Sequence, residues 1–272
     1  MDLSSSRLFS KGRVMPSVIS TITSKDGTTL EYDRSGSGPA VVLLYVGPFT
    51  RAANAGLAAL LAEHFTVYSY DRRGRGGSGG SVQDGPDREF EDLDAILSEA
   101  GGSACLYGSS GGGIMGLQAA ARGLPITRLA AWEPPYTVEG ARRPPADWGE
   151  RVADLVAEDH RGDAVAYWMT AVTGIPEQMV AGMRQAPFWS AVEAHGLIAD
   201  YAMVGDLTFD EAMLRSVPVP TLILDGGDSS PLAPSAAKVA TTVPGAAHQS
   251  LDGQPHNVAD EALAPALIAF FQ

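Results

Sequence analysis

Short β-branched or apolar runs alternate along this chain with longer amphipathic stretches, and that alternation restricts its fold more than any other feature. The runs are TLEYDRSG (29–36), AVVLLYVG (40–47), TVYSYD (66–71), ACLYGS (104–109), RLAAWEPP (128–135), TLILDGG (221–227) and AHQSLDG (247–253). Each reads as a strand. Helical spacing fills the intervals, as in Phe90, Leu93, Ile96 and Leu97 ahead of the Gly101-Gly102 stop, and again in the C-terminal ALIAFFQ. Strands alternating with helices predict an α/β fold with a mostly parallel central sheet flanked by helices on both faces.

The rhythm breaks between residues 136 and 217, where no strand pattern is found and Trp148, Trp168, Phe188 and Trp189 accompany Met169, Met179, Met183 and Met203. These features predict a helical insertion between two strands of the sheet. Its aromatic and methionine side chains either form its own small core or line a pocket where it meets the sheet. The expected organisation is therefore a Ser-rich leader at 1–17, a core built from 18–135 and 218–272, and the insertion at 136–217.

With 272 residues, of which 45% are hydrophobic, the chain can bury a sizeable core without staples. A single cysteine, Cys105, excludes an internal disulfide framework and a cysteine-based zinc site. The net charge of −13 argues against nucleic acid or an anionic membrane as partner, since both require a basic surface. No apolar stretch reaches the ~18 residues that span a bilayer, and the N-terminus lacks a secretory apolar core. The expectation is a cytoplasmic protein acting on a small molecule, with a homo-oligomer left open.

Candidate chemistry centres on LYGSSGGG (106–113), which lies between a buried-strand pattern and a run of good helix formers, GIMGLQAAARG. Gly108-Ser109-Ser110-Gly111-Gly112 fits G-x-S-x-G with Ser110 at the centre. In that turn the central residue is strained, and glycines two before and two after it prevent a clash between strand and helix. The serine is thereby raised at a helix N-terminus, where N–H groups favour negative charge on a substrate oxygen. A serine hydroxyl needs a base, and the base needs an orienting acid. His256, in GQPHNV after the last strand, is the favoured base over His248, which falls inside that strand. Asp228, after TLIL, is the favoured acid, with Asp225 and Glu133 as alternatives.

Together these residues resemble the α/β-hydrolase family. YDRRGRGGSG (70–79) is similar to its D-x-R-G-x-G-x-S turn, and PTLILDGGD with GQPHNVADEALAPALIAFF is similar to its acid strand and histidine loop. The resemblance implies a helical cap at 136–217 and a serine hydrolase that cleaves an ester, lactone or related acyl bond of a small apolar molecule. The triad would be Ser110, His256 and Asp228, with no cofactor and no metal. By position, the backbone N–H groups of Gly47 and Gly111 would form the oxyanion hole. The chain departs from the family where H-G-x-P is usual, reading Tyr45-Val46-Gly47-Pro48. Tyr45 and Val46, with Met115, Tyr136, Trp168 and Trp189, are the expected substrate-binding residues.

Two other readings compete. The altered Tyr45-Val46 gives weight to a non-hydrolytic enzyme of the same fold (lyase, cyclase or peroxidase-like) or to a small-molecule binding protein. Gly74-Arg75-Gly76-Gly77-Ser78-Gly79 also matches G-x-G-x-x-G, which would suit a dinucleotide-dependent oxidoreductase, but Gly85 and Pro86 postpone the helix that such a site requires. Arg72, Arg73 and Arg75 read as solvated or structural ion-pairing groups rather than phosphate ligands.

Overall fold

The computed structural model describes residues 17–139 and 142–272. Apart from Ser17, the leader expected at 1–17 lies outside the described residues. In chain order the elements are β1 (Val18–Thr23), β2 (Thr29–Gly36), β3 (Ala40–Leu44), α1 (Ala55–Leu61), β4 (Thr66–Tyr70), α2 (Pro86–Glu99), β5 (Ala104–Ser109), α3 (Gly111–Ala121) and β6 (Ile126–Trp132). Five α-helices follow among the described residues: α4 (Trp148–Ala157), α5 (Arg161–Tyr167), α6 (Glu177–Met183), α7 (Gly196–Val204) and α8 (Glu211–Arg215). The chain then returns to the sheet with β7 (Thr221–Asp225), α9 (Ala233–Thr242), β8 (Ala247–Ser250) and α10 (Asp260–Phe271).

The eight strands form one sheet in the order β1-β2-β4-β3-β5-β6-β7-β8. Pairing is antiparallel for β1 with β2 and β2 with β4, and parallel from β4 onward. Successive strand side chains point to opposite faces, so Val42, Leu44 and Leu106 join α2, α3 and α9 in one core while Val41, Leu43 and Cys105 join α1 and α10 in the other. Cover on both faces explains why β7 is buried along its whole length, with Leu222, Ile223 and Leu224 as consecutive apolar residues rather than an alternating pattern. The edge strand β1, by contrast, is largely exposed and has no apolar run to mark it.

The helices α4 to α8 make the insertion between β6 and β7, with a core of their own that includes Trp148, Val152, Val165, Met169 and Leu197. Ion pairs fasten it to the sheet. Arg72, fully buried after β4, donates to Glu89 of α2 at 2.7 and 2.9 Å and to Asp200 Oδ1 of α7 at 2.6 Å. Arg75 donates to the same Asp200 oxygen at 2.7 Å. Burial opposes the charge on Arg72, but Glu89 and Asp200 outweigh it and hold the pKa above its ordinary value. Gly196, one turn before Asp200, leaves room for Arg75, whose Nε would lie 2.2 Å from a Cβ at that position. Arg73 is paired with Asp92 at 2.7 and 2.8 Å. All three arginines are thus structural ion-pairing groups, buried rather than solvated.

The glycine run at 74–79 is folded against Asp71, which accepts from Gly77 N–H at 3.0 Å and whose carboxylate occupies the space a Cβ at Gly76 would need. The run does not open into a helix, since α2 begins only at Pro86. Its N–H groups are therefore not arranged at a helix N-terminus as pyrophosphate binding demands.

Asp200 is the shared acceptor of two buried arginines. Its replacement by alanine leaves their charges uncompensated, and Asp200→Ala is expected to destabilise the protein by about 3–5 kcal/mol. Urea unfolding measures this, and a loss below about 1 kcal/mol, the worth of an exposed pair, would contradict the assignment.

Candidate active site

Ser110 sits between β5 and α3 with φ 54° and ψ −124°, a left-handed conformation that a non-glycine residue adopts at a cost of about 1–3 kcal/mol. Neighbouring hydrogen bonds hold it there. Its N–H donates to Trp132 C=O at 2.8 Å, and its own C=O accepts from Gly113 N–H at 2.8 Å. The flanking glycines have the steric role expected of them: a Cβ at Gly108 would lie 2.2 Å from the Gly112 carbonyl oxygen, and one at Gly112 would lie 2.8 Å from the Leu44 carbonyl oxygen. Ser110 is half-buried, above the carboxyl ends of the parallel strands.

The adjacent strand end carries a second strained residue. Glu133, directly after β6, has φ 43° and a side chain with no solvent exposure. Its N–H donates to Leu224 C=O at 2.9 Å, and its Oε1 accepts from Gly226 N–H at 3.0 Å. The remaining oxygen, Oε2, lies 2.7 Å from His256 Nδ1. The Trp132 indole N–H also donates to the His256 carbonyl oxygen at 2.8 Å. The histidine loop is therefore fixed twice to the end of β6, the same strand end that holds the Ser110 backbone.

This geometry corrects the expected acid. Asp228 is exposed on a single 3-10 turn, Gly227–Ser229, and its side chain makes no hydrogen bond or ion pair among the described residues. The reason lies in the turn after β7: Gly226 and Gly227 carry the chain away from the sheet, and Gly226 offers its N–H to Glu133 instead. Glu133, a less favoured candidate by sequence, is the carboxylate that reaches His256. Its signal is a lone charge at the end of an apolar strand in AWEPP.

Asp225 and His248 pair with each other, away from His256. His248, within β8, places Nε2 2.6 Å from Asp225 Oδ2, and Asp225 Oδ1 accepts from Gly227 N–H at 2.8 Å. Burial raises the Asp225 pKa, but hydrogen bonds from His248, Ser250 and Gly227 outweigh it and hold the carboxyl below the usual range.

Gly111, the residue after Ser110, and Gly47, after β3, are both buried, and neither N–H finds an acceptor among the described residues. Buried N–H groups without partners are rare in folded proteins, which makes these two donors exceptional. Val46 Cγ1 lies 2.7 Å from where a Cβ at Gly111 would project, and Val204 of α7 lies 3.7 Å from the same point. The Tyr45 ring edge is 3.1 Å and Trp168 Cη2 3.8 Å from the corresponding point at Gly47. Burial, assisted by the Asp200 charge, pushes the Tyr45 pKa up to about 12, so its hydroxyl keeps its proton at neutral pH.

The expected lining residues therefore divide. Tyr45, Val46 and Trp168 surround the two glycines. Met115 is instead fully buried in the main core, one helical turn below Gly111, and has no surface to offer a ligand. Tyr136 packs edge-on against Phe209 at 5.6 Å in the same core. Trp189 lies farther out on the insertion, 6.2 Å from Phe188. Val204 and Phe49 carry no signal of their own in the sequence. Among the described residues no group of three His, Cys, Asp or Glu side chains could hold a metal ion, and no helix is long and apolar enough to cross a membrane.

Comparison with known proteins places this geometry in context. The family model described as "Alpha/beta hydrolase family" matches residues 42–261. An alpha/beta hydrolase from Sphaerobacter thermophilus is 48% identical, with 93% of this chain and 100% of that chain covered and a TM-score of 0.87. A hydrolase from Pseudomonas aeruginosa is 25% identical over 93% of this chain and 97% of that chain, with a TM-score of 0.71. An enol-lactonase from Burkholderia xenovorans, 22% identical over 92% of this chain and 99% of that chain with a TM-score of 0.67, shares the fold. The search of curated proteins returned no match.

Asp225 yields a pH test with a definite sign. Because its folded pKa is lowered, its stabilisation is present above the unfolded carboxylate pKa of ~3.9 and is lost as pH falls through the folded value. Asp225→Asn should reduce stability at pH 7, and the gap to the wild type should close on acidification below about pH 4. Urea midpoints at several pH values decide the matter; a gap independent of pH would refute the assignment.

Proposed function

Because the chain belongs to the alpha/beta hydrolase family, we propose that it is a serine-type hydrolase cleaving an ester, lactone or related acyl bond of a small, largely apolar molecule. The observation that carries this reading is the His256 Nδ1 to Glu133 Oε2 pair at 2.7 Å, fixed to the strand end that also holds the Ser110 backbone.

Ser110 Oγ attacks the carbonyl carbon while His256 Nε2 takes the hydroxyl proton. Glu133 fixes the ring with the proton on Nδ1 and stabilises the imidazolium that forms. The carbonyl oxygen, now negatively charged, is held by the free N–H groups of Gly47 and Gly111. As the tetrahedral intermediate collapses, the bond to the leaving oxygen breaks and His256 returns the proton to it. A water molecule then attacks the acyl-enzyme, losing a proton to the same nitrogen, and Ser110 is regenerated with release of the acid. Backbone donors make this hole tolerant of the Tyr45-Val46 exchange. The apolar surroundings of Val46, Val204 and Trp168 favour a substrate with little charge. We place the reaction in the cytoplasm.

A fluorophosphonate probe should label Ser110, located by peptide mass mapping, and Ser110→Ala should lower p-nitrophenyl ester hydrolysis by at least about three orders of magnitude. Full activity in that variant would overturn the proposal. The acid is tested separately: Glu133→Gln should lower kcat by about a hundredfold or more, while Asp228→Asn should change it by less than about twofold. The opposite ranking would restore Asp228.

A further inference from the structure

An unexplained ring stands on the surface above this site. Phe188 is 42% exposed on a 3-10 turn, Pro187–Ala191, none of whose residues is buried. Apolar area left in water forgoes stabilisation, so the exposed part of this ring contributes nothing to holding the insertion together. Phe188 nonetheless has aromatic company on its inner side. Its ring centroid lies 6.2 Å from that of Phe49, at an interplanar angle of 51°. Phe49 meets Tyr45 edge-on at 5.8 Å and 76°, and the Tyr45 ring edge comes within 3.1 Å of the Cβ position at Gly47. Just beyond the turn, Glu193 N–H donates to Pro48 C=O at 2.8 Å, which ties this part of the insertion to the loop carrying Gly47. Trp168 Cη2 lies 3.8 Å from the same Cβ position at Gly47. Successive ring contacts thus lead from the exposed Phe188 inward to Gly47.

Packing of the insertion onto the sheet accounts for the inner rings but not for the exposed outer one. We propose that this strip of rings binds a flat aromatic portion of the substrate, with Phe188 as the specificity-determining residue at its outer end. The ligand class is an aryl carbonyl compound, its ring lying along Phe188 and Phe49 and its carbonyl directed to Gly47 and Gly111. Edge-to-face and offset ring contacts favour such a group over a saturated one of equal size. The inference rests on the proposed function for what happens at the carbonyl, while the binding itself can be measured without turnover.

The probe is 1-acetonaphthone, an aryl ketone without a hydrolysable bond, titrated into the full-length protein by calorimetry. Saturable one-to-one binding is expected. Phe188→Ala should weaken it about tenfold, the equivalent of ~1.4 kcal/mol, whereas Phe188→Trp should preserve it and decahydronaphthyl methyl ketone, the saturated analogue of the same ring skeleton, should bind more weakly than the naphthyl compound. Phe188 is exposed, so these substitutions leave the fold intact. No saturable binding to the wild type, or an unchanged Kd in Phe188→Ala, would overturn the proposal. If binding depends on Phe188 while Ser110 fails to label, the strip stands and the hydrolase reading falls; labelling without Phe188-dependent binding has the reverse meaning.

Discussion

The arrangement depends on how two parallel strands end. The register pairs Ser109 of β5 with Trp132 of β6, so the next residues, Ser110 and Glu133, leave the sheet side by side. The hydrogen bond from Ser110 N–H to Trp132 C=O extends the ladder by one step, and the Trp132 indole then holds the histidine loop through the His256 carbonyl. A slip of one residue would turn Ser110 to the opposite face and separate it from both groups. The strained backbones of Ser110 and Glu133 are tolerated because buried strands on either side over-determine them.

The insertion completes what the sheet begins. Along α7, Gly196, Asp200 and Val204 recur at intervals of one turn and share a helix face. The first makes room for Arg75, the second accepts from Arg72 and Arg75, and the third reaches the space beside Gly111. The ion pairs that fasten the insertion to the core therefore also position an apolar side chain over the candidate oxyanion hole. Electrostatics supplies the attachment, and the apolar face supplies the pocket wall.

Much of this is legible in the sequence, for physical reasons. Strands covered on both faces read as apolar runs, and a turn that allows no Cβ at Gly108 or Gly112 reads as glycine. The edge strand β1 escapes such a reading because an exposed strand needs no apolar alternation. The acid escapes it for a different reason. Three carboxylates, Glu133, Asp225 and Asp228, lie at or just beyond the ends of β6 and β7, and the sequence shows only that each is near a strand terminus. Register and the Gly226-Gly227 turn choose among them, sending Asp225 to His248 and Asp228 to solvent. Met115 and Tyr136 are buried in the main core, and an apolar residue close to the serine turn or to the start of the insertion reads the same in sequence whether it faces a core or a pocket. Phe49 and Val204 lack any local signal, since their roles come from contacts across the insertion.

The central claim is that one constellation, Ser110 with His256, Glu133 and the N–H groups of Gly47 and Gly111, acts on a single carbonyl. A crystal structure of the protein covalently inhibited by a phosphonate tests it most directly. The account predicts phosphorus bonded to Ser110 Oγ, a phosphoryl oxygen within about 3.1 Å of both glycine nitrogens, and His256 Nδ1 still on Glu133. A phosphoryl oxygen directed away from Gly47 and Gly111, or a His256 ring turned to Asp228, would contradict it.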